Sequence, residues 1–201
     1  MLSSISPVGE ASRRQRWTVT VTAYLVASAL GGTLIGGLLG GIGGLLGAGS
    51  WGAWSLVVLG VAALGGAAID ATQPAVALPS WRRQVDEGWL MTYRGWVYGA
   101  GYGFQLGAAV VTIVTSAITY AALLAALLTG HVVLGALVGF TFGSVRAVPL
   151  LLMGGIRTPH ALQELHRRLD AATGTVTVAS IAAQVVVGLV ATAAATSAVL
   201  S

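Results

Sequence analysis

The stretch "GALVGFTFGSVRAVPLLLMGG", residues 135–155, carries a single charged residue, Arg146, in an otherwise uncharged and apolar run. A helix crosses the hydrocarbon core of a bilayer with about 20 apolar residues, so this run is long enough for one crossing. A charge inside such a helix costs roughly 2.5 to 3.5 kcal/mol on insertion scales, and it usually faces the interior of the bundle or water. The stretch therefore predicts a membrane helix with one charge in a particular environment.

The composition of the whole chain excludes a soluble globular domain. Of its 201 residues, 56% are hydrophobic and only 8% are charged, whereas about a quarter of the residues of an ordinary soluble domain are charged. Residues 17–69 and 95–145 lack any charge and can each hold two crossings, and residues 171–201 can hold one. We predict an all-α, polytopic membrane helical bundle of about five transmembrane helices, which forms one integral membrane domain over residues 1–201.

The distribution of arginine predicts the orientation of these helices. The predicted spans cover residues 18–48, 51–70, 97–128, 131–154 and 175–199. All basic residues are arginine, and all except Arg146 lie before the first span, between the second and third, or between the fourth and fifth. Arginine in short loops marks the cytoplasmic side, so we expect a cytoplasmic N-terminus and an outside C-terminus in a bacterial inner (plasma) membrane. This topology accounts for the net charge of +4 without a nucleic-acid partner.

Two of the predicted cytoplasmic loops have amphipathic patterns, over residues 79–96 and 158–172. The first loop has aromatic residues at helical spacing and basic residues beside them, typical of a helix that lies on the inner leaflet. Its predicted membrane-interface residues are Trp81, Arg82, Arg83, Trp89 and Trp96. The alternative for this loop is an irregular polar segment. The second loop has His160, Glu164 and His166, but His166 lies off the face that the other two share, so we predict a solvated helix and no metal site.

Cysteine is absent, which excludes disulfides, thiol redox chemistry and thiolate metal sites. The sequence also has no phosphate-binding loop and no paired carboxylates within one span. We therefore expect no cofactor, no metal and no enzymatic activity.

Glycine recurs at every fourth residue in the third and fourth predicted spans. The residues concerned are Gly99, Gly103, Gly107, Gly135, Gly139 and Gly143. This spacing lays a flat strip along one face of a helix, which lets a second backbone approach closely and is a main source of helix association in lipid. We expect these strips to pack within the chain. The alternative is a homodimer formed through one of the strips. A membrane protein partner is a further association that we consider for the chain.

The third predicted span also has a polar face. Its members are Gln105, Thr112, Thr115, Ser116 and Thr119. Serine and threonine can bond to the backbone one turn back, so one interpretation is a set of interhelical contacts. The other is the lining of a polar cavity or solute pathway. The amide of Gln105 is harder to hide in this way, and Gln184 in the fifth span is its possible partner.

Arg146 lies on the same face as Gly139 and Gly143, and Pro149 nearby is expected to bend its helix. One interpretation is that the long side chain reaches the inner interface. A second is an ion pair with Asp70, at the end of the second span, and a third is direct contact with a solute. The sequence leaves the three open.

The glycine-rich stretch "GAGYGFQLGAAVVTIVTSA" (residues 99–117) and the stretch "VLGALVGFTFGSVRAVPLLL" (residues 133–152) resemble helices of the CcdA/DsbD transmembrane-domain family of cytochrome c biogenesis. In that family two membrane cysteines carry thiol reductant. This chain has no cysteine and lacks a counterpart of the first helix, so the resemblance implies the scaffold in a shortened form without the redox chemistry.

Two functions of different classes agree with these features. The first is a small-solute or ion transporter, suggested by the polar face, Arg146 and the glycine-rich helices. The second is a non-transporting membrane scaffold or accessory subunit of an envelope complex, suggested by the amphipathic loop over residues 79–96.

Overall fold

The computed structural model describes residues 5–72, 88, 92–109, 116–156 and 158–200. Within these residues all regular structure is helical. The helices are α1 Pro7–Ser12, α2 Trp17–Leu45, α3 Ala53–Ala71, α4 Gly95–Ala108, α5 Ile118–Leu128, α6 Val132–Ala147 and α7 Pro159–Leu200, with 3-10 segments at Ala48–Ser50 and Val148–Gly155. The all-helical prediction is confirmed for this part of the chain.

Four helical segments are long and apolar enough to cross a membrane. They are Trp17–Leu45, Ala53–Ala71, Val132–Gly155 and His160–Val199. Four of the five predicted spans thus have a counterpart. In Val132–Gly155 the α-helix ends at Ala147, just before Pro149, and continues as a 3-10 helix, because proline cannot donate the next α-helical hydrogen bond.

The third predicted span, residues 97–128, is not one helix. It is divided into α4 and α5, of 14 and 11 residues, and each is shorter than the roughly 20 residues that a crossing needs. Ala109, which follows α4, has a left-handed backbone with φ of 57°. The sequence between the two helices, "VVTIVT" at residues 110–115, consists only of β-branched residues, which have lowered helix propensity. Hydropathy alone did not reveal this break.

The predicted loop helix over residues 158–172 and the predicted span 175–199 are one continuous helix, α7, of 42 residues. At 1.5 Å per residue it is about 60 Å long, roughly twice the thickness of a hydrocarbon core. The intervening sequence contains Gly174 but no proline, and a single glycine lowers helix stability without ending a helix. The interruption that we predicted here was therefore wrong.

Helix α2 lies at the centre of the bundle, against α4 on one side and α6 on the other. Along α4, Gly99, Gly103 and Gly107 face the carbonyl oxygens of Thr20, Tyr24 and Ser28 in turn. Since the residue numbers of both helices rise in the same direction along this contact, α4 runs parallel to α2.

Along α6, the order is reversed. Gly135, Gly139 and Gly143 face the carbonyl oxygens of Gly36, Gly32 and Ser28, so α6 is antiparallel to α2. A Cβ atom at any of these α6 or α4 glycines would overlap a carbonyl oxygen of α2. We refer to the two contacts of α2, with α4 and with α6, as the glycine seam. All six glycines predicted to pack lie in it.

The other large helix contact joins α3 to α7. Helix α5 fills the space between α2, α3 and α6. Helix α4 ends beside Gly31, midway along α2, while the far end of α5 reaches Gly43. The C-terminal end of α4 therefore lies midway along α2, and α5 begins beside Asp70, near the C-terminal end of α3.

Four of the predicted membrane-interface residues, Trp81, Arg82, Arg83 and Trp89, lie outside the described residues, as does most of the predicted amphipathic loop 79–96. The fifth, Trp96, lies in the first turn of α4 and is 53% exposed.

Candidate functional site

The beginning of α5 is held by a carboxylate from another helix. Asp70, near the end of α3, is only 5% exposed. Its Oδ1 atom accepts a hydrogen bond from the backbone N–H of Ala117 at 2.9 Å, and its Oδ2 accepts one from Ser116 Oγ at 2.6 Å. A helix N-terminus carries unpaired N–H groups and a partial positive charge. Asp70 therefore caps α5 from a distance of 47 residues in sequence.

Helix α7 completes the surroundings of this carboxylate. Gln184 Nε2 donates to Asp70 Oδ2 at 2.8 Å, and the hydroxyls of Ser116 and Ser180 lie 3.0 Å apart. Gln184 is 1% exposed, and its Oε1 atom is buried without a hydrogen-bond partner within the described part of the chain. We call Asp70, Ser116, Ser180 and Gln184 the Asp70 centre. It joins α3, α5 and α7 at the C-terminal end of α3.

The other end of the break is held by Arg146. Its Nη1 atom donates to the carbonyl oxygen of Leu106, in the last turn of α4, at 3.3 Å. Its guanidinium also lies over the ring of Phe142, 5.3 Å from the ring centroid. The carbonyl groups at a helix C-terminus carry a partial negative charge, which favours a cation. The lone charge of the stretch 135–155 thus lies against the C-terminal end of α4.

The predicted ion pair between Asp70 and Arg146 is not formed. The reason is geometric: the carboxylate binds the N-terminal end of α5 on the α3 and α7 side of the bundle, while the guanidinium binds the C-terminal end of α4 beside α2. Each charge is placed against the helix end of opposite partial charge, one on each side of the same break.

The described residues of the predicted polar face lie in different surroundings. Thr112 and Thr115 lie outside the described residues. Ser116 belongs to the Asp70 centre, Thr119 is buried in α5, and Gln105 is half-buried on α4. The predicted partner of Gln105, Gln184, donates to Asp70 instead.

A cavity of about 200 Å³ lies beside the Asp70 centre, between α3, α5 and α7. Gln184 is its polar lining residue, and the rest of its wall is apolar: Leu59, Ala63, Ile118, Ala121, Ala122, Ala125, Ala183 and Val187. A polar centre with an apolar space next to it is the usual composition of a small-molecule site.

A second buried polar network lies where α2 and α4 begin, and the sequence analysis missed it. Glu10 in α1 is fully buried and accepts hydrogen bonds from Thr20 Oγ1 at 2.8 Å, from Arg13 Nη2 at 2.8 Å and from the hydroxyl of Tyr98. Burial alone would lower the pKa of the Arg13 guanidinium, but its hydrogen bonds with Glu10 and Tyr98 outweigh burial and raise that pKa above its ordinary value. The network fastens the N-terminal segment under the bundle.

The signal for this network was present in the sequence. Ser6 and Pro7 are a helix start, with Ser6 Oγ accepting from the N–H of Gly9, and Glu10 is the only acidic residue before Asp70. A lone carboxylate ahead of an apolar span needs a partner if it is buried. No sequence rule identifies that partner as Tyr98, which lies 88 residues away.

Among the described residues, no three His, Asp or Glu side chains come together as a metal site would require. The Asp70 centre offers instead a carboxylate and an amide oxygen that has no partner in the described ranges, and both are hydrogen-bond acceptors.

Comparison with known proteins relates the chain to methylamine utilization proteins. It is 31% identical over 150 residues to the methylamine utilization protein MauF of Paracoccus denitrificans, a match that covers 74% of this chain and 54% of the relative. The MauF proteins of Paracoccus versutus and Methylophilus methylotrophus are 30% and 32% identical over 154 and 151 residues. The chain spans about half the length of these relatives.

No family model matches the chain, and no solved structure matches it. The resemblance to the CcdA/DsbD family was wrong, because the similar proteins are MauF proteins. The hydropathy and glycine placement on which that resemblance rested are common to many membrane bundles with closely packed helices.

Proposed function

We propose that this chain is a multi-pass membrane protein that serves amine utilization as an accessory protein, and that it does so by passing a small polar solute at the break between α4 and α5. The observation that carries the proposal is the break itself, with Asp70 at one helix end and Arg146 at the other. The unpaired backbone groups of a helix end inside a membrane bundle must be satisfied by protein groups or by water in a cavity. Discontinuous helices of this kind form the solute sites of many transporters.

The chemistry of the Asp70 centre favours a small cation with N–H donors. Asp70 supplies a negative charge, and the Oε1 atom of Gln184 is a buried acceptor without a partner among the described residues. A buried acceptor left unpaired costs about 1 to 3 kcal/mol, so a solute that donates a hydrogen bond to it gains affinity. Methylammonium has three N–H donors and one small methyl group, which matches the alanine-rich cavity beside Gln184.

The relatives support the amine-related part of the proposal by their name, methylamine utilization protein. The placement in a bacterial inner membrane, with the N-terminus inside, rests on the arginine distribution. We infer from the absence of a catalytic constellation in the sequence that the chain is not itself the enzyme that acts on the amine.

A thermal-shift measurement on the detergent-purified protein tests solute binding. A ligand that binds only the folded state raises the apparent melting temperature by mass action. We expect methylammonium chloride to raise it above the value in sodium chloride of the same ionic strength, and tetramethylammonium, which has no N–H donor, to have no such effect. The increment is expected to vanish in Asp70→Asn and to persist in Asp170→Asn, because Asp170 is exposed on α7.

A growth experiment tests the accessory role separately. Deletion of the gene in the organism that encodes the chain is expected to slow growth on methylamine as the nitrogen source while growth on ammonium stays normal. Wild-type protein and Asp170→Asn should restore growth, and Asp70→Asn should not. Equal growth of the deletion strain on both nitrogen sources would contradict the role in amine utilization.

A second candidate, a non-transporting scaffold, is favoured by α7. Its length exceeds what one crossing needs, and its first part has an exposed charged face in which Glu164 is paired with Arg167 and Arg168. Such a helix can extend beyond the bilayer and contact a partner protein. Absence of any thermal shift with ions, methylammonium, amino acids and small organic acids, together with a growth defect on methylamine, would favour the scaffold over solute passage.

A further inference from the structure

We propose that a groove at the start of α2 and α4 is a binding site for the phosphate group of an anionic phospholipid. The groove has a volume of about 310 Å³ and is lined by residues 14–16, Val19, Thr20 and residues 94–96. Arg14 and Arg16 contribute from the corner between α1 and α2, and Arg94 contributes from the residue that precedes α4. The inference rests on the proposed membrane location and is independent of solute passage.

The three arginines differ from the other described arginines of the loops in their partners. Arg14, Arg16 and Arg94 are exposed, and none of them is in an ion pair within the described ranges. By contrast, Arg13 is bound to Glu10, and the arginines of α7 are bound to Glu164. Within the described part of the chain, the groove therefore concentrates positive charge that no carboxylate pairs with, and anions are attracted most strongly where several cations converge.

The backbone turn at Arg14 and the hydrogen bonds of Gln15 keep the three arginines of the groove close together. Arg14 has a left-handed backbone with φ of 56°, a conformation that is unfavourable for residues other than glycine. The turn is tied by the N–H of Gln15, which donates to the carbonyl of Glu10 at 2.8 Å. Gln15 in turn accepts a hydrogen bond at its Oε1 from the N–H of Gly95 at 3.2 Å. Gln15 thus links the corner that contains Arg14 and Arg16 with the start of α4, where Arg94 lies.

The other features of the groove match a lipid headgroup better than a soluble anion. Trp96 lines it and is 53% exposed, and tryptophan prefers the headgroup level of a bilayer. The N-terminal turn of α4 lies at the groove, and its partial positive charge adds to that of the arginines. Basic pockets at the ends of membrane helices on the cytoplasmic side commonly bind anionic headgroups. Arginine also forms bidentate hydrogen bonds with phosphate oxygens.

The test compares the binding of three probes by the full-length protein in detergent micelles. Phosphatidylglycerol, phosphatidylcholine and inorganic phosphate are titrated while the melting temperature is recorded. We expect phosphatidylglycerol to raise the melting temperature of the wild type, with little effect of phosphatidylcholine or inorganic phosphate. In the double variant Arg14→Gln/Arg94→Gln the apparent affinity for phosphatidylglycerol should fall by about tenfold or more, as expected for the loss of two interfacial arginines.

The matched control is Arg167→Gln/Arg168→Gln, which removes the same number of charges from α7 and should leave the affinity for phosphatidylglycerol unchanged. Equal losses in the two double variants would overturn the proposal, because they would reflect net charge alone. An equal effect of inorganic phosphate would assign the groove to a soluble phosphate instead of a lipid. No stabilisation of the wild type by phosphatidylglycerol would also overturn it, whatever the protein does with methylammonium.

Discussion

The glycine seam and the Asp70 centre join helices of the same bundle by opposite means. In the seam, α2 meets α4 and α6 backbone to backbone, and glycine at every fourth residue removes the side chains that would keep them apart. The buried hydroxyl of Ser28 donates to the carbonyl of Gly143 at 2.7 Å, so this polar group is also satisfied within the seam. The seam needs no charge.

At the Asp70 centre, α3, α5 and α7 meet around a carboxylate that accepts hydrogen bonds from Ser116, Ala117 and Gln184. Burial of a carboxylate is costly unless it is hydrogen-bonded. Such a group, with the amide oxygen of Gln184 beside it and unpaired among the residues that the structure describes, is costly if it serves only to hold helices together. The difference suggests that the seam supports the structure and that the centre serves the function.

The seam is expected to be the more sensitive of the two to an added atom. Gly139→Ala places a methyl group against the carbonyl of Gly32 and within 2.9 Å of the Cα atom of Gly36. Because backbone cannot move aside as a side chain does, we expect a loss of about 3 kcal/mol or more in the free energy of unfolding. The measurement is the thermal unfolding of the purified protein, together with its yield as a monodisperse species.

The control for this substitution is Gly65→Ala in α3, where nothing lies within 4 Å of the added methyl group. Alanine favours a helix over glycine by up to about 1 kcal/mol, so Gly65→Ala should be neutral or stabilising. A tolerated Gly139→Ala would mean that α2 and α6 are not in the close contact described.

The Asp70 centre is expected to respond to loss of charge. Asp70→Asn replaces an acceptor oxygen by an N–H₂ group that cannot accept from the donors around it, and hydrogen bonds to a charged group are each worth about 1.5 to 3 kcal/mol. We expect the free energy of unfolding to fall by about 2 to 4 kcal/mol. Thermal unfolding measures the change, and Asp170→Asn on the exposed part of α7 is expected to show none. Equal behaviour of the two variants would remove Asp70 from the role of helix cap.

The network of Glu10 is expected to give a smaller effect, confined to the N-terminal segment. Glu10→Gln weakens the hydrogen bonds from Arg13 and Thr20, and we expect a loss of about 1 to 2 kcal/mol. Trypsin cleavage after Arg13 or Arg14 should become faster, because the segment is released from under the bundle. Glu164→Gln, whose arginine partners are exposed, should change neither unfolding nor cleavage. Unchanged cleavage in Glu10→Gln would show that other contacts, such as buried Ile5, hold the segment.

Arg146→Gln is expected to have the smallest effect on stability, about 1 kcal/mol at most, because its hydrogen bond to Leu106 is long at 3.3 Å and the side chain is half-buried. The losses in Arg146→Gln and Asp70→Asn should add in the double variant, since residues that share no partner are usually independent. If the double variant regained stability, Asp70 and Arg146 would interact with each other, contrary to the structure.

Sequence reasoning reached the seam more readily than the centre. Glycine at every fourth residue predicts a contact face without knowledge of the partner, and all six predicted glycines lie against α2. The Asp70 centre has no such periodicity, because Ser116, Ser180 and Gln184 come from two elements and meet Asp70 only through the fold. The rarity of charge in the sequence identified Arg146 and Asp70 as notable residues but did not identify their partners. Those partners are the two helix ends at the break between α4 and α5.

The break could have been anticipated in part. Hydropathy is continuous through residues 97–128, and this hid the interruption, but the run of β-branched residues at 110–115 was a local signal against a helix. The continuity of α7 could not be recognised in the same way, since the charged residues before its apolar part are compatible with either a separate loop helix or an extension of the span.

Thiol labelling tests the central claim of the proposed function, that the break between α4 and α5 lies on a path for a small polar solute through a membrane bundle. The chain has no cysteine of its own, so single cysteines can be introduced without background. Ser116→Cys, at the break, is expected to react in intact membranes with a charged thiosulfonate reagent. Phe140→Cys on α6 should stay unreactive although Phe140 is 50% exposed, because in the proposed membrane location its side chain would face lipid, where thiolate does not form. An unreactive Ser116→Cys, or reaction of Phe140→Cys alone, would contradict the account.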